Sequence, residues 1–198
     1  MNIEGHTFNA NLLLADSLVF DIGGKNGEFS QNMLNHSCRV TCYEPDVTAF
    51  NYIKRSIQSP NFSVINKAIC GHDGMRTFYC AGPMNGGNSL FPGADEYERC
   101  KGNAIIYEVE GISFDNALQS FPHVELVKLD CEGAEFEIIH ESSVETFKKI
   151  NQLSVEFHDF CFRTFTRNDV DECIEILKGT GFIPGIMDRD NSDYYFYR

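Results

Sequence analysis

Two hydrophobic periods alternate along this chain and divide it into strands and helices. Apolar runs of five to seven residues, bounded by turn residues, predict buried strands at 18–22, 39–43, 62–66, 124–129 and 151–157. Between them apolar positions recur at the helical period, which predicts helices near 27–36, 46–58 and 134–149. Ser142-Ser143-Val144-Glu145 is a capping box that restarts the last of these. A final helix is defined most sharply. Val170, Cys173, Ile174 and Leu177 fall at i, i+3, i+4 and i+7, Thr166 stands at the N-cap, and Gly179 and Gly181 end it. Strands alternating with helices imply an α/β architecture, a parallel sheet wound on both faces. The C-terminus breaks that alternation: Phe182 to Met187 and Tyr194 to Tyr197 flank a polar turn, which predicts a closing antiparallel hairpin. The aromatic run Tyr194-Tyr195-Phe196-Tyr197 is expected to pack that end of the sheet rather than to stack on a ligand.

Residues 71–111 fit the winding poorly. They offer a hairpin strand at Thr77 to Cys80, a loop rich in Gly, Asn and Pro from Gly82 to Gly93, and a strand at Ile105 to Glu110. Loops of this length are usually functional or disordered. Entering after the third strand, beside the C-terminal ends of the sheet, the segment reads as an insertion over a ligand site within one domain spanning 1–198. Asn88 and Ser89 are then expected to contact the substrate.

Composition narrows the class. At 198 residues with 42% hydrophobic and 13% aromatic content, the chain can bury a three-layer core. No apolar run approaches the roughly 18 residues of a membrane span, and no basic-then-apolar leader opens the sequence. A soluble, cytoplasmic protein without membrane insertion is expected. A net charge of −13 disfavours nucleic acid as a partner, because Lys54-Arg55 and Lys148-Lys149 are the only adjacent basic pairs. The eight cysteines show neither C-x-x-C nor zinc-finger spacing, so they read as free thiols.

The strongest chemical signal runs from Leu18 to Gly27. There an apolar strand enters Gly23-Gly24-Lys25-Asn26-Gly27, a glycine turn at a helix start, where the backbone can pass close to a ligand. A dinucleotide fingerprint would need glycine at position 22, which is Ile. Asp21 would also set an anion where a pyrophosphate sits. A carboxylate there suits a cationic ligand such as S-adenosylmethionine, which carries an ammonium and a sulfonium. Glu44, 23 residues after Asp21 at the end of the second strand, has the spacing of a ribose acceptor, a feature shared with NAD sites.

Several stretches together resemble the FkbM family of methyltransferases. They are Val19-Phe20-Asp21-Ile22-Gly23-Gly24-x-x-Gly27, Tyr43-Glu44-Pro45, Asn66-Lys67-Ala68-Ile69, Asn88-Ser89-Leu90, Ser113-Phe114-Asp115 and Lys128-Leu129-Asp130-Cys131-Glu132-Gly133-Ala134-Glu135. The likeness is colinear from about residue 18 to 160, and its last segment is the most specific. It implies the seven-stranded, mostly parallel, Rossmann-like sheet of class I methyltransferases, with an antiparallel strand near its end. It also implies S-adenosylmethionine-dependent O-methylation of a sugar, polyketide, lipid or other small-molecule or glycan acceptor. By position, Asp21, Gly23, Gly24 and Gly27 match the methionine-side loop, and Glu44 with Pro45 the ribose acceptor. Lys67 and Ala68 fall at the adenine edge, and Asp130 where the fourth strand meets the donor. After its first glycine the family usually has Ala-Asn; this chain has Gly24-Lys25.

Methyl transfer is an in-line displacement that needs alignment and, for a hydroxyl acceptor, removal of a proton. Asp130, Glu132, Glu135, Glu156, His158 and Asp159 stand at the ends of the fourth and fifth strands, where that would happen. Asp130, Glu132, Glu156 and His158 are the catalytic candidates, one of them serving as general base. A less favoured alternative has Asp130, Glu156 and His158 or Asp159 hold a divalent cation that orients two acceptor oxygens. A structural role is also open: Glu132 and Glu135 can accept N–H bonds at a helix start, and Lys128 can pair with a neighbouring carboxylate. His6, His36, His72, His123 and His140 show no mutual spacing and are expected on surfaces or loops. Two rivals remain at the level of function. One is ribose 2′-O-methylation of nucleic acid, which needs a basic groove; the other is a donor-binding module without catalysis.

Overall fold

A computed structural model describes residues 1–93, 104–162, 164–188, 190 and 192–198. Cys100, residues 94–103 of the expected insertion, and positions 189 and 191 of the C-terminal turn lie outside the described residues. The chain opens with a small hairpin of β1 (Asn2–Ile3) and β2 (His6–Thr7). Its two-residue turn has both Glu4 (φ 51°) and Gly5 (φ 87°) in the left-handed region, as a tight hairpin turn requires.

The winding then proceeds as the apolar runs predict. It comprises β3 (Leu18–Ile22), α1 (Glu28–Asn35), β4 (Arg39–Tyr43), α2 (Val47–Ser56), β5 (Phe62–Ile65), β9 (Val124–Leu129) and β10 (Ile150–Glu156). The expected helix over 134–149 is two helices, α4 (Ala134–Glu141) and α5 (Val144–Lys148), and Ser143 caps the second through the Thr146 amide. In α6 (Arg167–Gly179), Thr166 and Asp169 form a reciprocal capping box. Strands β11 (Ile183–Asp188) and β12 (Asp193–Tyr197) are the antiparallel hairpin.

One seven-stranded sheet results, in the order β11-β12-β10-β9-β3-β4-β5. The four pairings from β10 to β5 are parallel, and β12 runs antiparallel to β10. Tyr194 and Phe196 are fully buried on β12, one strand in from the edge, as packing residues. Alternation along the strands sorts side chains between two faces. Val19, Val40 and Leu126 pack with Phe29 and Met33 of α1, whereas Phe20, Val127 and Val155 join the larger core under α4 and α6. Seven described cysteines are free. No helix among the described residues is long and apolar enough to cross a membrane.

The segment that fits the winding poorly builds a separate three-stranded sheet. In it β8 (Ile105–Ser113) lies between β6 (Ala68–Cys70) and β7 (Gly74–Cys80), and α3 (Phe114–Leu118) follows. Its loop after β7 returns to the main sheet and forms one wall of a cleft.

Candidate active site

The C-terminal ends of β3, β4 and β9 open into a cleft of about 680 Å3, its mouth included. One wall is apolar, from Ile22, Tyr43, Ala68, Ile69 and Leu90; Glu44, Asp46, Asp130 and Glu132 supply carboxylates. The position lies outside the carboxyl ends of parallel strands, where open α/β sheets bind ligands.

Gly23 makes the floor. Its φ of +85° suits glycine, and a Cβ there would lie 1.8 Å from the backbone oxygen of Asp130, so no side chain fits between the two strand ends. Gly24 faces the other way: a Cβ there would meet Cys42 Sγ at 2.3 Å. That contact accounts for glycine where the family usually has alanine. Lys25 takes the left-handed backbone (φ 50°) of the position at which the family has asparagine, and its side chain lines the cleft.

Glu44 ends β4 almost wholly buried. Its two oxygens accept from the Lys25 and Asp46 amides, each at 2.7 Å. Burial pushes its carboxyl up to about 7 against the pull of those two bonds. One oxygen of Asp46 caps α2 through the Thr48 amide. The other accepts from the Met84 amide and Asn88 Nδ2, at 2.9 and 3.0 Å, and so ties the loop after β7 to β4.

At the other end of the cleft a charged cluster gathers from four segments. Asp130, just past β9, lies 3.2 Å from Lys128 Nζ and 3.3 Å from His6 Nε2 through Oδ2, and 3.7 Å from His158 Nε2 through Oδ1. Glu132 and Glu156 approach the same His158 nitrogen at 3.5 and 3.9 Å. Glu135 is fully buried and bridges the turn that opens α4, accepting from the Cys131 and Gly133 amides at 2.6 and 2.8 Å and meeting His158 Nδ1 at 3.1 Å. Of the two glutamates expected at the helix start, Glu135 makes those backbone bonds.

The titration of this cluster follows from burial and sign. Burial works to raise Asp130, but Lys128 and the two histidines hold it well below the usual carboxylate range. Burial, reinforced by Asp130 and Glu135, pushes Glu132 up to about 8 despite the opposing pull of His158. Burial and Asp130 likewise raise Glu156. For His158 burial favours the neutral ring, yet Glu135, Glu132 and Asp130 raise it well above its ordinary value.

Several expected site residues are placed elsewhere. Asp21 shares the α1 face of β3 with Val19, so its carboxylate points away from the cleft. It accepts from Ser30 Oγ at 2.6 Å and lies 3.3 Å from Lys128 Nζ, its cross-strand neighbour. Gly27 is the left-handed N-cap of α1, packed under Ile53 and Ile57, and does not line the cleft. Lys67 turns outward to Glu110, while Ala68 and Pro45 do line the cleft. Asn88 also lines it, but its Oδ1 accepts from the Ala81 amide and its Nδ2 serves Asp46 and Gly82. Ser89 is buried; its hydroxyl donates to the Glu132 carbonyl at 2.6 Å, so it braces the cluster instead of facing a ligand. Asp159 pairs with Arg167, outside the cluster.

His6 joins the site without any signal in its spacing to the other histidines. Expected on a surface, it is buried against the Phe29 ring, with Nδ1 3.4 Å from Ser154 Oγ and Nε2 on Asp130. The Glu4-Gly5 dipeptide between short extended segments was the available signal, since it folds the N-terminus back over β10.

The FkbM methyltransferase domain model matches residues 21–184. "Methyltransferase 1" of Beauveria bassiana (strain ARSEF 2860) is 24% identical over 197 residues, covering 88% of this chain and 76% of that protein. Among solved structures, a fibrillarin/Nop5p complex superposes with a TM-score of 0.57 at 11% identity, over 98% of this chain and 77% of that one. The Methanococcus jannaschii fibrillarin pre-rRNA processing protein gives 0.52 at 10% identity, over 93% and 66%. At these identities the structural likeness is one of fold.

Proposed function

Because the chain belongs to the FkbM methyltransferases and is an S-adenosylmethionine-dependent enzyme, we propose that it methylates a hydroxyl of a sugar, polyketide, lipid or other small metabolite. The observation that carries this reading is the division of one cleft into two ends. A backbone-held carboxylate, Glu44, stands at one end, and at the other stand an ionised carboxylate, Asp130, and a proton-binding one, Glu132.

The chain's residues fit the donor. The Gly23 floor leaves room where any Cβ would collide, and each Glu44 oxygen, spent on one amide, keeps a second lone pair for a ribose hydroxyl. The apolar wall of Tyr43, Ala68 and Ile69 suits a purine. When bound, the donor supplies an electrophilic methyl on a sulfonium. The remaining tasks belong to the protein: holding the acceptor oxygen in line and taking its proton.

A base works best when its pKa lies near the working pH. Glu132, pushed up to about 8 and lining the cleft, meets that condition, and Glu156 is shifted the same way behind it. Asp130 stays ionised beside Lys128 and orients. In this scheme the loop from Gly82 to Leu90 is a strapped wall over the donor, fixed through Asp46 and Ser89, and the insertion shapes the cleft without acting as a free lid.

Incubation of the purified chain with labelled donor and a panel of polyols, phenols, hydroxylated lipids and RNA tests the reading. The expected product gains one methyl on oxygen in a small hydroxylated acceptor. Methylation of RNA alone, or of nitrogen or carbon, would replace it. Tight donor binding with no turnover across the panel favours the binding-module rival.

A further inference from the structure

We propose that His158, Asp130 and Glu132 form a binding site for one divalent cation, of the Mn2+ type, at the acceptor end of the cleft. His158 Nε2, Asp130 Oδ1 and Glu132 Oε1 converge on a common point, the ligand atoms of these three residues lying within 4.8 Å of one another.

The independent observation is the placement of the His158 ring. The residue is 97% buried, and its Nε2 aims into the cluster without a hydrogen bond among the described residues. Glu132, Asp130 and Glu156 stand 3.5, 3.7 and 3.9 Å from that nitrogen. Ligands about 2.1 Å from a shared ion are separated by roughly 3.0–3.6 Å, and the two edges from His158 Nε2, 3.5 Å to Glu132 and 3.7 Å to Asp130, fall at the upper end of that range.

The outer contacts are those of a metal site as well. Glu135 holds Nδ1 at 3.1 Å, which fixes the ring and leaves Nε2 as the donor atom, as histidine ligands are usually held. Lys128 and His6 engage Asp130 through Oδ2 and leave Oδ1 toward His158. Glu132 is presented by a left-handed backbone (φ 51°) whose carbonyl Ser89 grips. In the ion-loaded site Glu132 is a ligand, and the base role given to it above falls to Glu156 beside it. One imidazole with carboxylates suits Mn2+ better than a thiolate-seeking ion.

Asp130 and Glu132 are about one-fifth to one-quarter exposed toward the cleft, so an ion can enter and its open positions face the acceptor. The class of acceptor that follows is a hydroxyl with a second oxygen beside it, such as a vicinal diol, chelated through both oxygens. That part rests on the methyl-transfer reading above; ion binding itself does not.

Calorimetric titration of EDTA-stripped, desalted full-length protein with MnCl2, without donor, tests the site. One Mn2+ per chain is expected. Glu132→Gln, an uncharged isostere at a partly exposed position, should weaken binding at least tenfold, and His158→Ala should abolish it. Thermal melting with and without Mn2+ guards against misfolding: the ion should raise the wild-type midpoint and leave that of folded His158→Ala unchanged. S-adenosylhomocysteine affinity, measured on the stripped protein, should stay within a few-fold of the untreated value. Absence of Mn2+ binding at millimolar concentration, or binding indifferent to both substitutions, overturns the site. Loss of S-adenosylhomocysteine binding in untreated and stripped protein alike would instead strike at the donor reading.

Discussion

Removing the Glu44 carboxylate separates its two proposed tasks, and each has its own magnitude. The side chain is 6% exposed and accepts two amides at 2.7 Å. In Glu44→Ala those amides lose their partner, at about 1–3 kcal/mol for each one left unsatisfied. Deleting a carboxylate whose pKa burial has pushed up to about 7 offsets part of this. A net cost of about 1–3 kcal/mol lowers the melting midpoint of a chain this size by roughly 2–12 °C. On the proposed reading the same variant also loses charge-assisted bonds to ribose, about 1.5–3 kcal/mol apiece. One such bond corresponds to roughly 10- to 150-fold in donor affinity, at 1.4 kcal/mol per decade. Calorimetry with S-adenosylhomocysteine, run below the variant's melting range, reads the second effect alone.

The wild type carries an internal control. A carboxyl near pH 7 is about one-tenth ionised at pH 6 and about nine-tenths at pH 8, and the ionised form is the better hydroxyl acceptor. Donor affinity should therefore rise by up to about tenfold between those pH values, and the rise should vanish in Glu44→Ala. A variant that melts lower but binds the donor normally, with the pH dependence intact, would refute the assignment of the ribose to Glu44.

Two further substitutions probe the frame of the site. Gly23→Ala puts a Cβ 1.8 Å from the Asp130 oxygen on a backbone of φ +85°; strain of that kind costs about 1–3 kcal/mol before the collision is counted, so melting and donor binding should both fall, and a variant matching the wild type in both would contradict the close approach. Lys128→Met leaves Asp21 and Asp130 facing each other without their shared cation; breaking a buried pair costs about 3–5 kcal/mol, which predicts a midpoint lower by about 6–20 °C in thermal melting.

The strands and the last helix were legible because apolar period and caps agreed. Val170, Cys173, Ile174 and Leu177 are all buried on α6, and Thr166 caps it as its position implied. Side-chain direction was less legible. Asp21 looked like a ligand group because it precedes the glycine turn, but it shares parity with Val19 and is claimed by Lys128 across the strand pair. Lys67 and Ser89 sit in segments that resemble the family, yet their partners, Glu110 and the Glu132 carbonyl, lie 43 residues away along the chain in each case. No local pattern reports such contacts. His6 was hidden for the same reason: it enters the cluster across 124 residues, through a hairpin too short to show a period.

The most direct test of the two-ended cleft is a crystal structure of the complex with S-adenosylhomocysteine. Ribose hydroxyls are expected in hydrogen-bond contact with Glu44, the purine against Ala68 and Ile69, and the sulfur beside Asp130 and Glu132. A ribose bound away from Glu44, or a sulfur directed away from Asp130 and Glu132, would contradict it.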